Sequence, residues 1–200
     1  MPFIPSEVSM EQTRTHTSPV AYRRQRQIED CLYENLQHTP YHSISVADLC
    51  RQVGISRKAF YNYYRDKDDC FRAIVDRTIH ESVLEVSTRT PDDASPLAAA
   101  VILLDYWKEK KEFFDILLRN NLFHFLMLRN IDYVMKEERY VLDLMNTPQV
   151  RSDLDILACY VSCQITLMLQ WYFRNFDTPT EEMAKKLLRL MHAPMIQIPG

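Results

Sequence analysis

Between Arg57 and Lys67 the chain reads RKAFYNYYRDK. Arg57 and Lys58 bring a guanidinium and an ammonium, Tyr61 and Tyr63 bring phenols, and Asn62 brings a carboxamide. Lys67 follows a few residues on. These are donors that suit phosphate oxygens and base edges. On a helix, Phe60 and Tyr64 lie four apart and share an inner face, which leaves the donors and the small Ala59 to point elsewhere. A face of this composition fits an ordinary solvated helix or a polyanion contact. Ser45 and Ser56 bear on the choice. Each sits where a helix should begin, and free backbone N–H groups at a helix start are natural phosphate partners.

The elements that must hold this face can be read outward from it. A first helix is expected from about Val20 to His38, with Ile28, Cys31, Leu32 and Leu36 on one side. Pro40 interrupts it. Ser45 opens a second helix, with Asp48 as an acidic partner three residues later and Val46, Leu49, Cys50 and Val53 as its apolar stripe. Gly54 should end that helix in a left-handed conformation. Ser56 caps a third helix, Arg57 to about Tyr64. Only Gly54, Ile55 and Ser56 separate the two helices, so the pair is a helix-turn-helix whose second helix can lie in a DNA major groove. A fourth helix is expected from about Lys67 to Thr88, with Phe71, Ile74, Val75 and Ile79 inside.

The bulk composition agrees with an all-α chain. Two glycines in 200 residues are far too few for a hairpin-rich sheet. No strict two-residue alternation runs past about four residues. No segment approaches the roughly 18 apolar residues of a membrane span. The N-terminus lacks the pattern of a secretory signal, so a cytoplasmic protein with no membrane partner is expected. Five cysteines, an odd number at wide spacing, read as reduced thiols rather than a disulfide or metal framework. Residues 20–67 hold eight basic and five acidic side chains, although the whole chain carries a net charge of −3. A basic head on an acidic body fits an anionic partner.

The stretch ISVADLCRQVGISRKAFYNYYRDKDDCF resembles the signature of the TetR/AcrR family of transcriptional regulators. The likeness lies in the hydroxyl residue opening the second helix and the apolar–Gly–apolar–Ser turn. It continues in the aromatic-rich third helix and the Lys–acid–acid opening of the fourth. It covers about Tyr22 to Val75. The resemblance implies an N-terminal three-helix DNA-binding domain and a C-terminal helical bundle for ligand binding and dimerisation. Ser45, Tyr61, Tyr63 and Lys67 would then meet backbone phosphates, and Arg57, Lys58 and Ala59 would form the base-facing start of the recognition helix. Tyr63 stands where the family more often has His, and Tyr64 where it has Phe. The operator would be palindromic double-stranded DNA bound by a homodimer.

On this reading residues 1–19 form a flexible tail, 20–66 the DNA-binding domain and 67–200 the regulatory domain. Further helices are expected over about 96–110, 112–120, 121–145, 151–175 and 180–192. The helix after Arg151 is apolar nearly all round, so it must be buried on several sides. Tyr160, Ile165 and Leu169 on it, with Met183, Leu187 and Leu190 on the last helix, are the candidate dimer interface. Trp107, Phe114, Phe123, His124, Met127, Tyr133, Met168 and Trp171 are candidates to line a pocket for an apolar or aromatic effector. The same residues at helical spacing equally make a plain core. No phosphate-cradling glycine loop, GxSxG turn or HExxH pair is present, so no enzyme and no cofactor or metal is expected. The alternative is a coregulator of the same fold that binds proteins instead of DNA.

Overall fold

The computed structural model describes residues 18–91, 94–136 and 154–192, the last segment with side chains from 162 to 190. The helices are α1 (Pro19–His38), α2 (Val46–Val53), α3 (Arg57–Tyr61), α4 (Lys67–Arg89), α5 (Pro96–Glu109), α6 (Lys111–Arg119), α7 (Phe123–Lys136), α8 (Leu154–Phe173) and α9 (Thr180–His192), with a 3-10 turn at Tyr41–Ser43. There is no strand among the described residues. No described helix is long and apolar enough to cross a membrane. The expected tail over 1–19, the continuation of α7 to Met145 and the start of α8 at Arg151 lie outside the described residues, Ser18 and Pro19 apart.

Local chemistry sets the helix ends. Ser18, Ser45, Ser56 and Ser95 cap α1, α2, α3 and α5, each accepting the N–H three residues on at 3.1–3.4 Å. Proline occupies the first turn of α1 and α5, where a missing N–H costs nothing. Asparagine plays the glycine role after α6. Asn121 has φ 56° and Leu122 N–H returns to the Leu117 carbonyl at 2.7 Å.

Contacts divide the chain into two units. The first holds residues up to Thr78 and the segment 116–122. Its core is Ile28, Leu32, Leu36, Leu49, Phe60, Tyr64, Phe71, Ile74 and Val75, each at most 1% exposed. Glu29 is buried beside these apolar residues, while Cys31, expected in the stripe, is only half-buried. Tyr64 donates to one Glu29 oxygen at 2.6 Å and Arg77 to the other at 2.7 Å, so the carboxylate is matched on both sides. Asn35 and Gln52 exchange carboxamide hydrogen bonds at 2.7 and 3.2 Å and tie α1 to α2.

The second unit holds residues 79–115 and those from Phe123 on. In it α9 packs on α5 and α8 on α7. Trp171 is fully buried, and its indole N–H donates to the Thr178 carbonyl at 3.0 Å, pinning the α8–α9 turn. Thr178 is buried, α9 begins at Thr180, and Met183 N–H bonds the Pro179 carbonyl at 3.0 Å. Asn175 and Phe176 both take positive φ, 52° and 55°. Tyr172 donates to Asp115, and that bond, followed by burial, pushes its phenol up to about 12.

Candidate nucleic-acid interface

α2, the turn and the start of α3 form as the sequence predicts. Gly54 has φ 71° and ψ 41°, and Ile55 N–H closes back to the Cys50 carbonyl at 2.9 Å. Phe60 is fully buried and Tyr64 nearly so, which fixes the rotation of α3. Arg57, Lys58, Tyr61 and Asn62 then point outward and are exposed. Tyr61 is 49% exposed, with its ring edge-on to Phe60 at 5.5 Å. No ion pair holds Arg57 or Lys58 among the described residues, so their donors are open to an incoming anion. Ala59 and Tyr63 are half-buried. α3 ends at Tyr61 rather than Tyr64. The Asn62 N–H is shared between Lys58 and Ala59 carbonyls, and Tyr63 N–H takes the Phe60 carbonyl at 2.9 Å, so the last turn is tighter than α-helical.

The two capping serines differ. Ser56 Oγ accepts Ala59 N–H at 3.1 Å, leaving its own hydroxyl proton for an outside acceptor. Ser45 Oγ accepts Asp48 N–H and also donates to the Asp48 carboxylate at 2.5 Å. Hydrogen bonds from Ser45, then from Arg51, hold the Asp48 carboxyl below its ordinary range. What α2 offers a phosphate is its first amides, at Val46 and Ala47.

Lys67 is half-buried rather than extended toward solvent. Its ammonium donates to the Tyr41 carbonyl at 2.5 Å and the Ile44 carbonyl at 2.7 Å, and it lies 4.0 Å from the centre of the Tyr41 ring. Burial lowers its pKa, and the adjacent Asp68 partly opposes this. The Tyr41 hydroxyl donates to Asp68 at 2.5 Å, and burial together with that bond raises the phenol's pKa. Sequence reasoning missed Tyr41 and Asn120, whose side-chain oxygen accepts Tyr41 N–H at 2.7 Å.

In the second unit Trp107, Phe114 and Met168 line a cavity of about 20 Å³ with Leu126, Asn130, Gln164 and Ile165. That is room for about one water. Five of the expected pocket residues do not join its wall. His124 is exposed, Trp171 is committed to Thr178, and Met127 and Tyr133 are half-buried elsewhere. Phe123 also stays outside it, its ring 6.5 Å from that of Phe114. Asn130 and Gln164 carried no signal beyond being polar residues on apolar helices. The expected dimer face needs correction. Ile165, Met183 and Leu187 are buried within the protomer at 3–5% exposure, because α8 and α9 turn those residues toward α7 and α5. Leu169 is half-buried, Leu190 is 46% exposed, and the side chain of Tyr160 lies outside the described residues.

Comparison with known proteins agrees with this architecture. Residues 33–74 match the family described as bacterial regulatory proteins, tetR family. Residues 95–193 match a transcriptional regulator C-terminal region. Among solved structures, the fatty acid degradation regulator FadR from Bacillus halodurans superposes with a TM-score of 0.57 at 12% identity, covering 91% of this chain and 99% of that one. A TetR-family protein from Syntrophomonas wolfei gives 0.57 at 13%, covering 88% and 98%. A TetR-family regulator from Streptomyces coelicolor gives 0.52 at 14%, covering 85% and 79%. No curated protein sequence matches the chain. An all-helical chain whose head is a helix-turn-helix with an open cationic edge is a DNA-binding transcriptional regulator. It belongs to the TetR family.

Proposed function

We propose that the chain is a ligand-responsive repressor that acts in the cytoplasm as a homodimer on a palindromic operator, by binding and not by turnover. The observation that carries the DNA part is the outward set of Arg57, Lys58, Tyr61 and Asn62 on a helix locked by buried Phe60 and Tyr64. Two copies related by a two-fold axis would read half-sites about one duplex turn apart, or a multiple of it. Arg57 and Lys58 reach base edges and phosphates, and the first amides of α2 meet the backbone.

The effector would enter the cavity walled by Trp107, Phe114 and Met168. Among the described residues its wall has no ionisable group, and Asn130 and Gln164 supply its polar groups. A neutral, largely apolar effector with a carbonyl or hydroxyl fits that chemistry. At about 20 Å³ the cavity must widen to admit it. The effector therefore acts through its greater affinity for an opened state, which shifts the population away from DNA binding.

The test is capture of genomic fragments by the purified protein, followed by salt titration of the retained site. Replacing Arg57 or Lys58 by Ala should weaken binding by about tenfold or more and lower the salt slope by about one for each phosphate that the side chain neutralises. Unchanged affinity in both variants would favour a coregulator that uses this fold for protein contacts.

A further inference from the structure

We propose that Lys67 is a positioning residue that clamps the α1–α2 linker in place for DNA binding, and that it is not itself a phosphate ligand. The inference rests on the DNA-binding reading and departs from the role that the position of this lysine implies. Its ammonium has three protons, and two are held by the Tyr41 and Ile44 carbonyls at 2.5 and 2.7 Å. Both carbonyls belong to the seven-residue connection between α1 and α2, which ends at the Ser45 cap. The same connection is gripped at three further points. Asn120 accepts Tyr41 N–H, Asp68 accepts the Tyr41 hydroxyl, and Phe71 lies against the Tyr41 ring at 5.8 Å between centres.

The charge around Lys67 argues the same way. Asp66 caps α4 by accepting Asp69 N–H at 2.6 Å, and Asp69 in turn accepts Arg65 N–H at 3.0 Å. Asp68 adjoins Lys67 and bonds the ring on which the ammonium rests. Asp66 and Asp69 are paired with Arg72, and Asp69 also with Arg65, so Asp68 is the acid that competes with a phosphate for the Lys67 charge. Arg57 and Lys58 have no such acids paired to them among the described residues. Lys67 therefore supplies a donor to the Ile44 carbonyl and a second one to the Tyr41 carbonyl, which also takes Ile44 N–H at 3.2 Å. That fixes where the first turn of α2 stands relative to α3.

The experiment uses the full chain with two duplexes: a random 30-base-pair sequence and the tightest fragment the wild-type protein retains from genomic DNA. Affinity is measured against salt for wild type, Lys67→Met, Asn120→Ala and Lys58→Met. Hydrogen exchange is followed at Tyr41, Ser43 and Ile44. Lys67→Met should lower affinity on the order of tenfold with the salt slope unchanged, and should speed exchange at those amides. Asn120→Ala loosens the same connection without removing a charge, so it should give the same pattern more mildly. It also keeps the test alive if Lys67→Met fails to fold. Lys58→Met should reduce the slope by about 0.9. A comparable fall in slope for Lys67→Met would overturn the proposal, as would unchanged affinity and exchange. If the wild-type protein binds neither duplex, the DNA-binding reading beneath the proposal fails. Exchange at Tyr41 in the variants separates that outcome from a failure of the clamp.

Discussion

Among the described residues Glu29 is the charged side chain whose environment departs furthest from its type. It is 7% exposed, beside the apolar stripe of α1, with Tyr64 and Arg77 on its two oxygens. Removing one partner of a buried pair costs about 3–5 kcal/mol when the other is left alone. Arg77 keeps Asp30 at 3.2 Å, so Glu29→Ala should cost less, about 2 kcal/mol, in urea unfolding. A larger loss would mean that Asp30 does not compensate. Tyr172 tests the second unit by pH. Its phenol is raised to about 12 by the Asp115 bond and burial, so the folded chain holds that proton more tightly than the unfolded one. The contribution is fully present below about pH 10 and is lost as pH rises from about 10 to 12. Tyr172→Phe should flatten stability over that window and leave its slope at neutral pH alone. The open donors of α3 were legible in the sequence because their exposure follows from Phe60 and Tyr64 pointing inward. Lys67 was not. Its partners Tyr41 and Ile44 lie 26 and 23 residues away, and the Tyr41–Asn120 bond spans 79.

At the scale of elements, what could be read was whatever local chemistry decides. Ser45, Gly54 and Ser56 place the ends of α2 and the start of α3 within a dozen residues, so the turn came out as expected. The end of α3 was misjudged by three residues, because the tight carbonyl sharing at Asn62 depends on how Phe60 and Tyr64 seat together. α8 was misjudged in phase. A helix apolar nearly all round gives no sequence signal for which side meets which neighbour. Its described outward residues are Cys163, Thr166, Gln170 and Phe173, a far more polar set than the sequence led us to expect. Gly54 gives the sharpest element-scale prediction. A Cβ there would meet nothing within 4 Å, so Gly54→Ala carries only the backbone cost of a left-handed residue. That is about 1–2 kcal/mol. Gly54→Asn should cost less, because asparagine accepts this conformation. Equal losses in chemical denaturation would show that something other than φ governs the turn.

For the proposed homodimer the deciding quantity is how many heads engage DNA at once. α3 has five residues, and its exposed donors make too small a footprint for strong binding by one protomer. Linking two heads turns the second contact into an intramolecular event at an effective concentration of about millimolar, which raises affinity by about 10²–10⁴. Dimerisation and operator binding should therefore fail together. With Ile165, Met183 and Leu187 occupied inside the protomer, the large apolar side chains left outward on α8 and α9 among the described residues are Phe173, 68% exposed, and Leu190, 46% exposed. Exposed aromatic and leucine side chains can change to charged ones without opening a cavity in the fold, yet a charge buried at a self-complementary interface is strongly unfavourable. Phe173→Glu with Leu190→Glu should leave the helical signal and melting of each protomer nearly unchanged. The same pair should shift sedimentation toward monomer and lower operator affinity by at least about 100-fold, with a shallower salt dependence because only half as many phosphates are neutralised. Dimers that persist in this variant would place the interface on another face. Monomers that still bind the operator at wild-type strength would show that one head is enough, and the two-fold reading of the operator would fall with that result.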